Sequence, residues 1–208
     1  MNLKKKIPSD NDLVTRFKAD REMEAFNLLH QRYRQAILNY LCRYLGDYQK
    51  AEELTQETFI RVYKHLPDFK QTGKVSSWIF AIATNLGRME FRRQGKYRGT
   101  VSMNSIFSKD GEIIDLENFI PNHRRRPDRI ARAQEIERRI QEGLRALPEK
   151  FRQVFILCAI EGLSYRQVSG ILKIGEGTVC SRLVRAKKKF ARALGLAPGK
   201  SIPGELLW

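Results

Sequence analysis

A chain of 208 residues with a hydrophobic fraction of 42% can bury one large core or two small ones, which excludes a disordered chain. Its net charge of +16 predicts a polyanionic partner such as DNA, RNA or an anionic membrane surface. Residues 1–10 lack the apolar stretch of a signal peptide, and no apolar run approaches the roughly 18 residues that span a bilayer. We therefore expect a cytoplasmic protein without membrane insertion.

The residues that usually hold metals or carry out catalysis are scattered. The three cysteines are odd in number and lack a C-x-x-C spacing, which argues against a disulfide framework and against a zinc site. No group of histidines, cysteines or carboxylates is arranged to hold a metal. Gly170 and Gly175 have phosphate-loop spacing, but Glu-Gly follows them in place of Lys-Ser or Lys-Thr. We expect no cofactor and no enzymatic activity.

The N-terminal part, residues 1–96, is predicted to form a three- or four-helix bundle. A short helix over about 10–18 precedes a longer one over 20–45, in which apolar residues recur at steps of three and four until Gly46. The next helix is closed by Pro67 and buries Ala51, Leu54, Thr58, Val62 and Leu66. The last helix of this part is predicted to turn inward Val75, Trp78, Ile82, Leu86 and Met89.

Residues 97–133 show neither a helical nor a strand period. Two glycines, two prolines and the cluster Arg124–Arg126 predict a flexible linker there. Because a structureless segment of this length is uncommon inside one domain, the linker indicates two small helical domains. No strand pattern occurs anywhere in the sequence, so the predicted fold class is all-α.

The C-terminal domain, residues 134–195, is predicted to hold four helices and to be followed by a tail, 196–208. Its third helix is introduced by a capping box, in which the Ser164 hydroxyl accepts from a backbone N–H and Gln167 reaches back. A glycine-containing turn then leads to a last helix over about 178–194. Two helices joined by such a turn indicate a helix-turn-helix, whose second helix enters the DNA major groove.

The last helix separates apolar from basic side chains. At about 100° per residue, one arc carries Val179, Leu183, Ala186, Phe190 and Leu194. The opposite arc carries Ser181, Arg185, Lys188 and Arg192. An ordinary amphipathic helix with a solvated basic face would show the same period, but the capped helix and the turn before it favour a DNA reader. Such a helix needs hydrogen-bonding groups such as Thr178 near its start and basic groups such as Arg182 further along.

Both halves of the sequence resemble the extracytoplasmic-function sigma factors of bacterial RNA polymerase. Residues 162–190, GLSYRQVSGILKIGEGTVCSRLVRAKKKF, resemble region 4 of that family, and residues 144–164 before them also fit its pattern. Residues 25–66 resemble the first part of region 2, and SSWIFAIATNLGRMEFRR at 76–93 resembles its promoter-melting part. The matches stand in the family's order, with the linker in the expected place.

The resemblance implies a sigma factor that binds the polymerase core, melts the −10 promoter element with region 2 and reads the −35 element with region 4. The implied −35 contacts are Ser164, Tyr165, Arg166, Thr178, Cys180, Ser181, Arg182, Val184, Arg185, Lys188 and Lys189. The implied −10 contacts are Lys70, Lys74, Ser77, Trp78, Asn85, Arg88, Arg92 and Arg93. For Trp78, which lies on the apolar stripe, a core role is favoured over a stacking platform.

The resemblance also implies protein partners. Region 2 would dock on the clamp helices of the largest polymerase subunit, region 4 would contact the flap, and an anti-sigma factor would hold the free chain. The docking residues would be Asp47, Glu52, Glu53, Gln56, Glu57 and Arg61. The charge of these residues also favours a docking role, because an acidic patch on a basic protein repels DNA and suits a basic protein surface. A solvated acidic face is the alternative. The apolar tail, 205–208, would dock on a partner or fold back on the chain.

A free-standing helix-turn-helix activator or repressor is the main rival interpretation. It predicts tight and specific duplex binding without polymerase, usually by a dimer matched to paired half-sites. A sigma factor predicts weak duplex binding alone and specificity only together with the polymerase core.

Overall fold

The computed structural model describes residues 7–70, 73–98 and 127–196, with side chains described for 7–70, 73–95 and 135–196. Over these ranges the regular structure is helical and no strand occurs, which confirms the predicted all-α class. The α-helices are α1 (Asp10–Asp20), α2 (Met23–Leu45), α3 (Tyr48–His65), α4 (Val75–Arg98), α5 (Pro127–Arg145), α6 (Glu149–Phe155), α7 (Tyr165–Leu172) and α8 (Glu176–Ala193). Not one of them has the length and hydropathy that crossing a bilayer requires.

Two further helical turns extend this framework. A 3-10 turn, Leu66–Asp68, continues α3, and a π-helical turn, Ile156–Ile160, continues α6. Both ends of the predicted linker are helical, since α4 continues to Arg98 and α5 begins at Pro127. Proline suits the first position of a helix, because its missing N–H would have no partner there in any case. Residues 99–126 of the predicted linker and residues 197–208 of the predicted tail lie outside the described ranges.

Local hydrogen bonds define where the N-terminal helices begin and end. The Ser9 hydroxyl accepts from the N–H of Asp12, and the Asp12 carboxylate accepts in return from the N–H of Ser9 at 2.9 Å. Helix α2 ends at Gly46, whose φ of 73° lies in the left-handed region that favours glycine. Asp47 then caps α3 by accepting from the N–H of Lys50 at 2.9 Å. This tight connection makes α2 and α3 antiparallel neighbours.

An aromatic core holds the N-terminal helices together. The rings of Tyr40 and Tyr44 are stacked with centroids 6.0 Å apart, and Phe80 meets Tyr40 edge-on at 5.8 Å. The buried Tyr40 hydroxyl accepts from the hydroxyl of Thr84 at 3.0 Å, which meets its need for a partner. The positions predicted to face inward on α3 are buried or packed against this core: Ala51, Leu54, Thr58, Val62 and Leu66.

Helix α4 departs from its predicted inward stripe at one position. Met89 was expected inside and is 63% exposed, so that prediction is wrong. The buried arc of α4 is centred on Ile79, Ala83 and Gly87, and Met89 lies about 100° from Glu90, which occupies that arc. Burial of the Glu90 carboxylate is compensated by hydrogen bonds from the two side chains that follow on the helix, Arg93 and Gln94.

The C-terminal helices surround the ring pair Phe155 and Phe190, whose centroids lie 4.6 Å apart. Gly143 of α5 approaches this pair closely enough that a Cβ there would lie 2.6 Å from the Phe190 ring. The two halves also pack on each other, where α7 meets α4 and where α5 and the π-helical turn meet α2. The described chain therefore has two helical units with one continuous apolar cluster between them.

Candidate nucleic-acid interface

Helices α7 and α8 form the predicted helix-turn-helix. Its capping box is confirmed: the Ser164 hydroxyl accepts from the N–H of Gln167 at 3.3 Å, and the Gln167 side chain accepts from the N–H of Ser164 at 3.2 Å. Helix α7 ends at Lys173, which adopts the left-handed conformation with a φ of 54°. Gly175 is the N-cap of α8, so α8 begins at Glu176, two residues before its predicted start.

Helix α8 has one buried and one basic exposed side, as its sequence spacing predicts. The buried residues are Val179, Leu183, Ala186, Phe190 and Leu194. The exposed residues on the opposite side are Ser181, Arg185, Lys188 and Arg192. Because the apolar stripe is anchored in the core, the basic side is presented on a rigid helix and points to solvent. This arrangement suits a helix that lies against a phosphate backbone.

The predicted −35 residues lie together around the start of α7 and along α8. Arg182 is half-buried, and the exposed members are Ser164, Tyr165, Arg166, Thr178, Cys180, Ser181, Val184, Arg185, Lys188 and Lys189. The hydroxyl of Ser181 donates to the carbonyl of Thr178 at 3.1 Å, so this side chain already has a local role. Val184 is 49% exposed at the edge of the basic side, where an apolar group can contact a thymine methyl.

The predicted −10 residues do not form a single open groove. Four of them are exposed on α4 and on the segment before it: Lys70, Lys74, Asn85 and Arg92. Arg93 is also exposed, but its guanidinium forms an ion pair with Glu90 at 2.9 Å. Trp78 is half-buried and packs against the ring of Phe69 at 4.8 Å, which agrees with the core role favoured by its position on the apolar stripe.

Two other members of the −10 set are bound by the C-terminal domain. The hydroxyl of Ser77 accepts from Gln167 Nε2 at 3.2 Å. The guanidinium of Arg88 donates from Nε and Nη2 to Gln153 Oε1 at 3.2 and 2.9 Å. The partners lie 90 and 65 residues away in the sequence, so helical periodicity gave no sign of either contact.

The predicted polymerase-binding face of α3 carries paired charges instead of a bare acidic patch. Glu57 is bonded to Arg61 at 2.6 Å, Glu53 pairs with Lys50, and Glu52 lies 3.6 Å from Arg34. Asp47 is occupied as the N-cap of α3. Gln56 is exposed on the same helix. The net charge of this face is therefore smaller than a list of its acids suggests, and exposed pairs of this kind contribute little to stability.

Sequence reasoning missed an apolar element of the α3 face. Ile60 is 49% exposed, and at 100° per residue it falls between Glu53, Gln56 and Glu57 on the outward side of the helix. Tyr63 is exposed on the adjoining side, with its ring edge-on to Phe17 at 5.5 Å. Both residues lie off the buried stripe of α3. Apolar side chains outside that stripe were the signal in the sequence that could have identified them. Ile60 therefore gives this face an apolar centre within a charged rim.

Family comparisons agree with this geometry. The model of Sigma-70 region 2 matches residues 29–97, and the model of Sigma-70 region 4 matches residues 137–190. The RNA polymerase sigma-H factor of Pseudomonas aeruginosa is 30% identical over 189 residues, which cover 89% of this chain and 93% of the relative. The ECF RNA polymerase sigma-E factor of Escherichia coli K12 is 27% identical over 186 residues, which cover 86% of this chain and 91% of the relative.

Two solved structures share the fold. The sigma factor RpoE, in complex with the anti-sigma factor NepR from Bartonella quintana, has a TM-score of 0.63 at 20% identity and covers 83% of this chain and 98% of its own. CnrH, in complex with the cytosolic domain of CnrY, has a TM-score of 0.61 at 24% identity and covers 89% of this chain and 97% of its own. The likeness to these structures concerns the fold. The sequence matches show that the chain belongs to the extracytoplasmic-function group of sigma-70 factors, the non-enzymatic subunits that direct RNA polymerase to promoters.

Proposed function

We propose that three surfaces of this sigma factor divide the work of promoter-directed initiation. The exposed side of α8 reads the −35 duplex, α4 and the segment before it hold the −10 element, and α3 docks on the polymerase. The observation that carries the proposal is the basic side of α8, which stands exposed over a fully buried apolar stripe. A helix anchored in this way can enter the major groove while its apolar stripe stays buried.

The −35 surface combines base-reading and phosphate-binding groups. Thr178 and Ser181 lie in the first turns of α8, where a recognition helix approaches base edges, and Arg185 and Lys188 follow along the same exposed side. Tyr165 and Arg166 begin α7, whose N-terminal N–H groups favour a phosphate. This division of roles predicts that base preference resides near the start of α8 and that salt-dependent affinity resides further along it.

The −10 surface consists of an exposed strip on α4. Asn85, Met89 and Arg92 fall within about 60° of one another around the helix axis, so they form one outward face. An amide reads base edges, a polarisable thioether packs against an unstacked base, and a guanidinium holds phosphate. Met89 therefore joins the proposed −10 residues because it is exposed beside them. Lys70 and Lys74 extend the basic path before α4.

The polymerase surface is the outward side of α3. Glu53, Gln56 and Glu57 surround Ile60 there, so the surface offers an apolar centre with a charged rim. We propose the clamp helices of the largest subunit as its partner, because a basic helical surface would exchange ion pairs with Glu53 and Glu57. The C-terminal domain would contact the flap of the polymerase, as the resemblance to the family implies.

We infer an anti-sigma protein as a further partner and the cytoplasm as the place of action. The matched RpoE is held by the anti-sigma factor NepR, and the matched CnrH is bound to the cytosolic domain of CnrY. An analogous protein that covers the outward side of α3 would keep this chain from the polymerase. Pull-down of a tagged chain, followed by loss of run-off transcription on adding the captured protein, tests this point.

The deciding experiment is run-off transcription with purified core polymerase on a library of genomic fragments. We expect initiation at a defined subset of fragments only when the chain is present. Arg185→Ala should weaken initiation at these fragments and leave core binding intact, and Arg138→Ala, at an exposed position on α5, serves as the control. No promoter-specific transcript from any fragment would rule out the proposal.

The rival function, a free-standing regulator, is tested without polymerase. A mobility-shift assay on the same fragments should show weak, salt-sensitive binding by the chain alone. Nanomolar binding to a paired half-site by a dimer would favour an independent activator or repressor.

A further inference from the structure

Helix α1 is bonded to the residues that precede α4. The ammonium group of Lys18, in the last turn of α1, donates to the carbonyl of Phe69 at 2.6 Å. Phe69 follows the 3-10 turn after α3 and is 9% exposed. The two residues are 51 positions apart in the sequence, so this bond ties the first helix of the chain to the segment that carries Lys70 and Lys74.

The ring of Phe69 extends this attachment to α4. It packs on Trp78, in the first turn of α4, with the ring centroids 4.8 Å apart. The N–H of Trp78 donates to the carbonyl of Lys74 at 3.2 Å, at the very start of that helix. A hydrogen bond from a charged donor is stronger than one between neutral groups. Phe69 is therefore held at its carbonyl by Lys18 and at its ring by Trp78.

A second attachment joins the start of α1 to the first turn of α4 through α2. The hydroxyl of Tyr33, on α2, donates to the carboxylate of Asp10, and the side chain of Ser76 is hydrogen-bonded to the same hydroxyl. Arg32 donates to Asp10 as well, and to the carbonyl of Pro8 at 2.8 Å. Burial and the Asp10 carboxylate raise the pKa of Tyr33, so its hydroxyl keeps the proton that it donates.

The two ends of α1 thus reach both sides of the segment before α4. The match to region 2 begins at residue 29, so α1 lies ahead of it in the sequence. Neither Lys18 nor Asp10 belongs to the surfaces proposed for DNA or for the polymerase. A ligand binds more tightly to side chains that are already held in the geometry of the complex, because less freedom is lost on binding.

We propose that α1 is a positioning element for the −10 surface and that Lys18 is its main positioning residue. Lys18 fixes the carbonyl of Phe69, which places Lys70 directly after it and, through the ring of Trp78, the first turn of α4. The action on −10 DNA rests on the function proposed above; the attachment of this segment to α1 does not.

Four variants separate positioning from a general loss of stability. Lys18→Met removes the ammonium group and keeps an unbranched side chain, and Lys18→Arg keeps a cationic donor. Arg16→Met is the matched control, because it removes a cation from the same helix and breaks the ion pair with Glu22 without touching Phe69. Tyr33→Phe removes only the hydroxyl of the second attachment.

The fluorescence of Trp78 reports on the segment in the free chain. The sequence contains two tryptophans, so a Trp208→Phe background leaves Trp78 as the single indole. In this background we expect Lys18→Met to raise the acrylamide quenching constant of Trp78, because its packing on Phe69 loosens. Lys18→Arg should restore the parent value and Arg16→Met should keep it. Tyr33→Phe should raise it by a smaller amount.

Binding of the single-stranded −10 non-template oligonucleotide by the holoenzyme tests the effect on DNA, with a promoter fragment found in the run-off assay. If one in ten Lys18→Met molecules has the segment in place, the oligonucleotide binds about tenfold more weakly than to the parent holoenzyme. Lys18→Arg should bind it like the parent. The salt dependence should keep its slope, because a positioning residue makes no phosphate contact; a slope smaller by about one would make Lys18 a direct contact and overturn the proposal.

The free-chain and holoenzyme results together decide the inference. Unchanged quenching of Trp78 in Lys18→Met, unchanged oligonucleotide binding, or equal effects of Arg16→Met would each overturn it. If Lys18→Met loses its helical circular dichroism, Tyr33→Phe is judged by the same criteria. The function proposed above fails separately, when the parent chain yields no promoter-specific transcript although the quenching results hold.

Discussion

The −35 and −10 surfaces of this sigma factor differ in what holds their side chains. Those of α8 are presented by their own helix, whose apolar stripe is buried locally, and they point to solvent. Those of α4 are divided: Asn85 and Arg92 are open, while Ser77 and Arg88 are bonded to side chains of the other domain. A surface that depends on one helix is always available, whereas a surface shared with a second domain can be regulated by moving that domain.

The largest expected effect concerns the anchoring of the α8 surface. Phe190→Ala removes a fully buried ring that contacts Phe155 and fills the space beside Gly143. We expect the free energy of unfolding to fall by about 3–5 kcal/mol, with loss of −35 recognition. Urea denaturation monitored by circular dichroism measures the change in unfolding free energy, and Lys187→Ala, at an exposed position of the same helix outside the −35 set, is the control. A change below about 1 kcal/mol would show that the α8 surface does not depend on this core.

The second prediction separates the two DNA surfaces. Arg185→Ala should cost about 1–3 kcal/mol of −35-dependent affinity, because it removes a charged donor from the exposed side of α8. Arg92→Ala should leave duplex binding by the C-terminal domain unchanged and slow promoter opening. Permanganate footprinting of the open complex, beside a mobility shift on −35 duplex, measures both. Identical defects in the two variants would remove the distinction between the surfaces.

A third prediction concerns the surface that neither DNA element uses. Glu57→Lys breaks the 2.6 Å pair with Arg61 and puts like charges on the outward side of α3. We expect the affinity for core polymerase to fall about tenfold, in keeping with the cost of like charges across an interface. Fluorescence anisotropy of a labelled chain titrated with core measures the change. Unchanged core binding, with altered DNA binding instead, would move the docking surface away from α3.

The smallest expected effect is a pH dependence of closure, by which we mean the packing of the C-terminal domain on α2 and α4. Glu161 ends the π-helical turn that packs against α2, and burial raises its pKa to about 7, partly opposed by the charge of Arg43. An open chain returns this carboxyl toward its ordinary pKa near 4.5, so closure takes up a proton. Closure is therefore most favoured below the open-state pKa and is weakened as pH rises through about 7.

Scattering of the wild-type chain over pH values from about 5.5 to 8 tests this sign, with Glu161→Gln as the matched neutral variant. The wild-type radius of gyration should increase with pH, and that of the variant should stay level. A parallel increase in both would assign the titration to another group.

Local sequence predicted most of what depends on neighbouring residues. The capping box of Ser164 and Gln167, the two sides of α8 and the turn at Gly46 each arise from interactions within a few positions, so they could be read directly. Met89 was misplaced because the buried arc of α4 is set by what packs against it. Helical spacing shows that a stripe exists, but it does not define the edge of that stripe when a charged residue such as Glu90 is taken inside.

Contacts between the halves of the chain could not be predicted. Ser77 and Gln167 are 90 residues apart, and Arg88 and Gln153 are 65 apart, with no period connecting them. The four hydrogen bonds to the carbonyls at the end of α2 come from Gln141, Arg145 and Arg152, which have the appearance of ordinary polar positions on α5 and α6. Only the requirement that terminal carbonyls find partners hints at them, and that requirement can equally be met by water.

The π-helical turn at Ile156–Ile160 has a consequence for comparing this chain with its relatives. A turn closed by the bond from the N–H of Glu161 to the carbonyl of Ile156, at 2.9 Å, holds one residue more than an α-turn. A relative with a regular α-helix at this point would need a one-residue gap in its alignment with this chain. Deletion of Cys158 would convert the π-turn into an α-turn, in which the N–H of Glu161 still meets the carbonyl of Ile156 and the carboxyl stays on the same side of the helix. A single inserted residue is thus absorbed within one turn, and the sequences on both sides of it keep their positions in the interface.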